Sequence, residues 1–290
     1  MRPEPPEPEP PETDDIRRRF AEEARTDRPD LATLCLLVGA EADPALGEAG
    51  IDAAQAELDR LAELDRLAGL LPFGVLGARA WAVALAELLA ERCGFEGSPA
   101  EYQRLDASLL PVVLRRRRGL PILLSVVWIE VARRAGAPVY GVALPGHFVV
   151  GFGAPEERVL ADPFGGGRLL TGADAELLVT GTTGEALEPA MLAPADPLDV
   201  VLRVLNNIRA WAATRPERTD VSLWAVELSL LLPSHPARLR YDRAQLLVQR
   251  GEFRRGAAEM DEYAQVVDAV EPSTAEAIRR KARAARAMLN

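Results

Sequence analysis

Apolar residues between Ile16 and Cys93 return at intervals of three and four, as in Leu58, Leu61, Leu64 and Leu67 and again in Trp81, Ala84, Leu85, Leu88 and Leu89. That spacing gathers them on one face of a helix and predicts an all-helical amino-terminal stretch. Gly69, Pro72, Gly74 and Gly77 interrupt it, and Gly94, Gly97 and Pro99 interrupt it again before a further helix near Ala107 to Arg117. From Leu120 to Ala135 the polar face almost vanishes: Ile122, Leu123, Val126, Val127, Ile129 and Val131 point all round the axis, so this helix is expected to be buried. Pro121 suits its first turn, where a missing amide proton costs no intrahelical bond, and Gly136 with Pro138 stops it.

The pattern then changes to short, β-branched runs, Val139 to Leu144, His147 to Phe152 and Arg158 to Ala161, separated by turn residues such as Pro145-Gly146. These predict antiparallel strands, so that the middle of the chain is a helix laid on a small sheet. After Ala193-Pro194 helical spacing resumes over about Asp196 to Ala213, Glu217 to Leu232, Ala237 to Gln249, Phe253 to Val270 and Ser273 to Met288. Pro233, Pro236, Gly251 and Pro272 punctuate these segments, which suits helical hairpins that bury a shared core only by stacking. Residues Met1 to Asp15 alternate proline with glutamate and predict a disordered acidic tail. The expected architecture is α+β and mostly helical: a tail over 1–15, a helical segment with the helix-and-sheet core over 16–194, and helical repeats over 195–290.

Composition narrows the function classes. A formal charge of −10 and a pI near 5.0 argue against nucleic-acid binding, which needs a basic footprint to neutralise phosphates. No basic-then-apolar leader opens the sequence, and charges interrupt every hydrophobic stretch before membrane-spanning length, so a cytoplasmic protein without membrane contact is expected. Cys35 and Cys93 form no CxxC pair and no cluster with histidine, which implies buried free thiols, no metal and no cofactor.

Candidate chemistry concentrates between Arg115 and Leu170, where "RRGLP" leads into the buried helix, "PGHF" precedes a strand, and "DPFGGG" precedes the next. Together these motifs resemble the bacterial SirB-type family of transglutaminase-like, tetratricopeptide-repeat proteins. The likeness extends more weakly to "LDRLAEL" before them and to "VLNNI" and "RGEFRRGAAEM" after them, covering roughly Asp30 to Met288. In such folds a cysteine at the amino-terminal end of the buried helix attacks an acyl group, because the helix terminus stabilises a thiolate. A histidine on an adjacent strand and an acid on the next complete the triad. The resemblance assigns His147 to the histidine position, Asp162 to the acid and Pro121 to the cysteine, and proline offers neither a nucleophile nor an amide. It therefore implies a transglutaminase-like core without its nucleophile, a regulator or interaction scaffold whose carboxy-terminal repeats take a protein or peptide partner.

Other readings of the same residues remain open. Ser125 falls one turn after Pro121 and offers a hydroxyl for a hydrolase or acyltransferase run by His147 and Asp162, with a bound water as substitute; the plainer reading is a buried serine bonded back to a helix carbonyl. His147 and Asp162 equally suit a satisfied polar pair, or a pair that orients a small molecule in the space left by the absent cysteine. The run Arg115 to Arg118, with Arg116, Arg117 and Arg118 as binding candidates, is a solvated helix end or a docking site for an acidic partner. Gly165-Gly166-Gly167 lacks the Lys-Ser/Thr of a phosphate loop and reads as a hairpin turn, and His235 reads as part of an inter-repeat loop.

Overall fold

The computed structural model of the chain describes residues 11–67, 77–154 and 157–288. Residues 1–10 of the acidic tail, and the interruption at Gly69, Pro72 and Gly74, lie outside the described residues. Residues 11–15, read from sequence as the end of that tail, belong instead to helix α1 (Pro11–Glu23). Acidic residues are favourable in a first helical turn, and Arg18 bridges Asp15 and Glu22 on the same face.

By their contacts the residues fall into two compact units, one ending at Val204 and one beginning at Leu205, and the divide lies inside helix α8 (Pro197–Ala213). In the first unit, α2 (Leu31–Ala42), α3 (Gly47–Leu67) and α5 (Leu110–Arg116) pack round α6 (Pro121–Ala135). Every residue of α6 from Pro121 to Ala132 is buried, as the loss of a polar face predicted. Helix α4 (Ala78–Leu85) continues as a π-helical segment, Ala86–Arg92, that ends at the half-buried Cys93. Cys35 and Cys93 are both free, and Cys35 is fully enclosed.

The sheet is antiparallel in the order β1-β2-β3-β4, built from β1 (Val139–Val142), β2 (Val149–Phe152), β3 (Val159–Asp162) and β4 (Arg168–Leu170). β1 and β2 pack on α6, and all four residues of β2 are buried. The Gly165-Gly166-Gly167 turn closes the β3–β4 hairpin, with Gly166 and Gly167 at φ values of 69° and 80° that favour glycine. Helix α7 (Gly172–Thr183) follows, opened by a reciprocal cap between Thr171 and Asp174. Hydrophobic periodicity did not reveal α7 because it buries only Ala175 and Val179 and leaves Leu177 72% exposed.

The second unit comprises the end of α8, α9 (Thr219–Leu231), α10 (Arg238–Gln249), α11 (Phe253–Asp268) and α12 (Pro272–Ala287), with α9 through α12 each packed on the next. Its core is rich in small residues, Ala244, Ala257, Ala264, Ala275, Ala282 and Ala285 around Met260 and Ile278, which lets the helix axes approach closely. His235 lies in the α9–α10 loop, its Nδ1 2.9 Å from the Leu232 carbonyl. Among the described residues no helix is long and apolar enough to cross a membrane.

Candidate functional site

The site is built where α6 begins and the sheet passes it. Leu120 caps the helix in an extended conformation and Pro121 occupies the first turn, so the helix opens without a thiol or an amide at that position. Ser125, one turn further on, is fully buried, and its hydroxyl donates to the Phe148 carbonyl at 3.3 Å. It does not bond back to its own helix, the plainer expectation from sequence. It fastens α6 to the chain entering β2, and so holds the residue after His147 against the first turns of the helix.

His147 itself stands in the turn that precedes β2, not within the strand as the sequence pattern suggested. Its amide donates to the Leu144 carbonyl at 3.2 Å, and Gly146 supplies the φ of 72° that the tight turn requires. Asp162 ends β3, and the antiparallel pairing of β2 with β3 brings the two side chains together, His147 Nε2 lying 2.9 Å from Asp162 Oδ1. That oxygen also accepts the Phe164 amide at 3.1 Å. A carboxylate fixed by two donors holds the imidazole in one orientation.

Phe164 covers the pair. Its ring meets the imidazole edge-on with centroids 6.0 Å apart, and Tyr102 meets the Phe164 ring at 6.1 Å. Gly97 makes room for it: the Gly97 amide donates to the Phe164 carbonyl at 3.2 Å, and a β-carbon on Gly97 would lie 1.9 Å from the ring. The His147 side chain is left 11% exposed.

The arginine run is turned inward by its own chain. Arg116 forks onto Glu101 at 3.1 and 3.3 Å, and Arg118 donates to the Gly94 carbonyl at 2.6 Å and pairs with Glu96 at 2.7 Å. Arg117 takes the left-handed conformation at φ 60° that ends α5, which swings its guanidinium over the Phe95 ring, 4.5 Å from its centroid, and onto Glu57 of α3. Hydrogen bonds from Arg60 and then from Arg117 hold the Glu57 carboxyl down at about 2, against the opposing effect of burial. Arg115 is exposed, and the other three are partly buried. The run thus stitches the loop over residues 94–104 and helix α3 to the segment that opens α6.

Two further residues border the pair and were not among the sequence candidates. Arg203, on α8, donates through Nη2 to the Leu144 and His147 carbonyls at 2.7 and 2.8 Å, with its guanidinium 5.6 Å from the Phe148 ring centroid. The available signal was a single arginine inside the apolar run Val200-Val201-Leu202-Arg203-Val204-Leu205. Tyr102 had no comparable signal, since it belongs to a short 3-10 turn without periodicity.

A profile of the transglutaminase-like superfamily matches residues 52–206, the stretch that contains α6, the sheet and the His147–Asp162 pair. The chain belongs to this superfamily. A tetratricopeptide-repeat profile matches residues 208–290, the helical second unit. A UPF0162 protein of Xylella fastidiosa (strain Temecula1) is 34% identical over 191 residues, 63% of this chain and 66% of that protein. The chain therefore spans just under two thirds of the length of that relative. A UPF0162 protein of Pseudomonas aeruginosa is 35% identical over 186 residues, 60% of this chain and 67% of the relative. These bacterial transglutaminase-like relatives agree with the SirB-type resemblance of the three motifs. The F-box only protein 21 of Mus musculus is 26% identical over 173 residues, which make up 57% of this chain and 26% of that protein.

Proposed function

We propose that this chain is a non-catalytic transglutaminase-like protein, an interaction scaffold or regulator working in the cytoplasm through its core surface and its helical repeats. The observations that support this reading are Pro121 in the first turn of the buried α6, the position that the family resemblance assigns to the nucleophile, and a His147–Asp162 pair with its side chains 2.9 Å apart. An imidazole aligned by a carboxylate has no thiol to deprotonate when the position assigned to the nucleophile is proline. Ser125 offers no replacement, because its hydroxyl is enclosed and committed to the Phe148 carbonyl. Removing a triad nucleophile lowers turnover by roughly a millionfold in the best-measured serine protease. The tetratricopeptide match over 208–290 supports the binding half of the proposal, since stacked helical hairpins present extended surfaces to peptides.

One observation favours a second reading, a hydrolase in which His147 and Asp162 activate a bound water: the imidazole and the carboxylate lie within hydrogen-bond distance, 2.9 Å apart. The two readings part on a panel of ester, thioester, amide and glutamine-donor substrates, run on the wild-type protein beside His147→Ala prepared identically. The scaffold reading expects the same background rate from both proteins; turnover that vanishes in His147→Ala would replace it with the hydrolase.

A further inference from the structure

Arg116, Arg117 and Arg118 each face a carboxylate. Arg203 does not. Half-buried beside the His147 turn, it spends Nη2 on two backbone carbonyls and stacks on Phe148, and among the described residues no acid lies within ion-pair distance of it. A guanidinium taken partly out of water with only neutral acceptors keeps a full uncompensated charge and has Nε and Nη1 protons left to donate. Burial pushes its pKa down from the ordinary value, and the neighbouring Tyr102 phenol opposes that shift.

Tyr102 approaches the pair through Phe164. Its ring stands against Phe164, which in turn covers His147, while Arg203 binds the His147 carbonyl. The Tyr102 side chain is about half exposed, and among the described residues its hydroxyl has no hydrogen-bond partner. Burial and then the Asp162 charge push the phenol's pKa up, and Arg203 pulls it back, so the phenol feels both charges.

From this juxtaposition we infer that Arg203 and Tyr102, flanking the His147–Asp162 pair, form a recognition site for a single carboxylate carried by a peptide. The inference rests on the scaffold reading and names what that core surface holds. One free positive charge and one free hydroxyl donor match one negative charge. Asp162, whose charge reaches the phenol, disfavours a second negative charge, which selects a carboxylate over a phosphate dianion. The imidazole bonded to Asp162 and the ring of Phe164 supply a rigid wall, so the carboxylate meets donors that need little rearrangement.

The test is an NMR titration of the full chain, following the Arg203 Nε–H and His147 ring signals. The probes are N-acetylglycine, which mimics a peptide C-terminus, N-acetylglutamate amide, which mimics an acidic side chain, and inorganic phosphate. At least one carboxylate probe is expected to give saturable shifts, with phosphate at least fivefold weaker. The carboxylate probe that binds more tightly tells a chain terminus from a side chain. Tyr102→Phe, a change at a half-exposed position that removes only the hydroxyl, is expected to weaken binding about two- to fivefold, and Arg203→Gln about tenfold or more. Arg203→Lys, which keeps the charge and a donor for the two carbonyls, serves if Arg203→Gln does not fold, and is expected to bind more weakly than wild type yet measurably. No saturable shift with either carboxylate, phosphate binding as tightly as carboxylate, or a Tyr102→Phe protein that binds like wild type would each overturn the inference. Failure here leaves the argument from Pro121 standing, whereas His147-dependent turnover would remove the scaffold reading without touching the carboxylate titration.

Discussion

At the scale of single residues, the site depends on positions whose importance comes from what they leave out. On the proposed reading Pro121 omits a thiol, and Gly97 omits a side chain where Phe164 must sit. A methyl group on Gly97 would overlap that ring at 1.9 Å, so Gly97→Ala is expected to destabilise the protein by about 1–3 kcal/mol, read as a lower urea midpoint at unchanged slope. The family resemblance of "PGHF" and "DPFGGG" pointed to His147 and Asp162 as partners, and their side chains lie 2.9 Å apart. Arg203 and Tyr102 were not legible in the sequence, because what sets them apart is the partner each lacks, and a missing partner appears only after folding. Ser125 was legible as buried, yet its acceptor was misjudged: a serine on a helix that packs directly on a sheet finds the carbonyl of the chain entering a strand as readily as its own.

At the scale of elements, the arginine run gives the clearest divergence between pattern and structure. Four basic residues at a helix end read as a solvated face or a docking patch, but three of them pair within their own chain, Arg116 with Glu101, Arg117 with Glu57 and Arg118 with Glu96. The partners lie far back in the chain, and local charge counting does not reach them. One of these links has a pH signature. The Glu57 carboxyl is lowered from 4.5 to about 2 in the folded protein, so the folded state binds fewer protons than the unfolded state across that interval. Its contribution is complete above about 4.5 and disappears as the pH falls towards 2. Glu57→Gln lacks that contribution, so urea midpoints measured from pH 7 to pH 3 should show the gap between wild type and variant constant at first and then closing below about 4.5. A gap that stays constant throughout would mean that the arginines do not hold this carboxylate. Helices α6 and α10 to α12 were read correctly from apolar spacing; α7 was missed because it buries too little for spacing to register.

At the scale of the whole molecule, the profile matches over 52–206 and 208–290 meet close to the divide between Val204 and Leu205. Within the second unit the α10–α11 packing leaves no room at Gly256, where an added β-carbon would lie 2.6 Å from the Val248 side chain and 2.7 Å from the Ala244 carbonyl. Gly256→Val is therefore expected to speed amide hydrogen exchange across α10, α11 and α12 while β2 and β3 keep wild-type protection, the pattern of a unit that opens by itself. Equal loss of protection in the sheet would mean that the two units unfold together. The functional account rests on Pro121 standing where the nucleophile would stand, and the most direct measurement is a thiolate titration of Pro121→Cys by ultraviolet absorbance. Burial pushes both native thiols, Cys35 and Cys93, up from their ordinary value, so they stay silent near neutrality. The account predicts a new thiol titrating well below the ordinary value of about 8.5, shifting back up when His147→Ala is added. A thiol that titrates at or above that value and ignores His147 would contradict it.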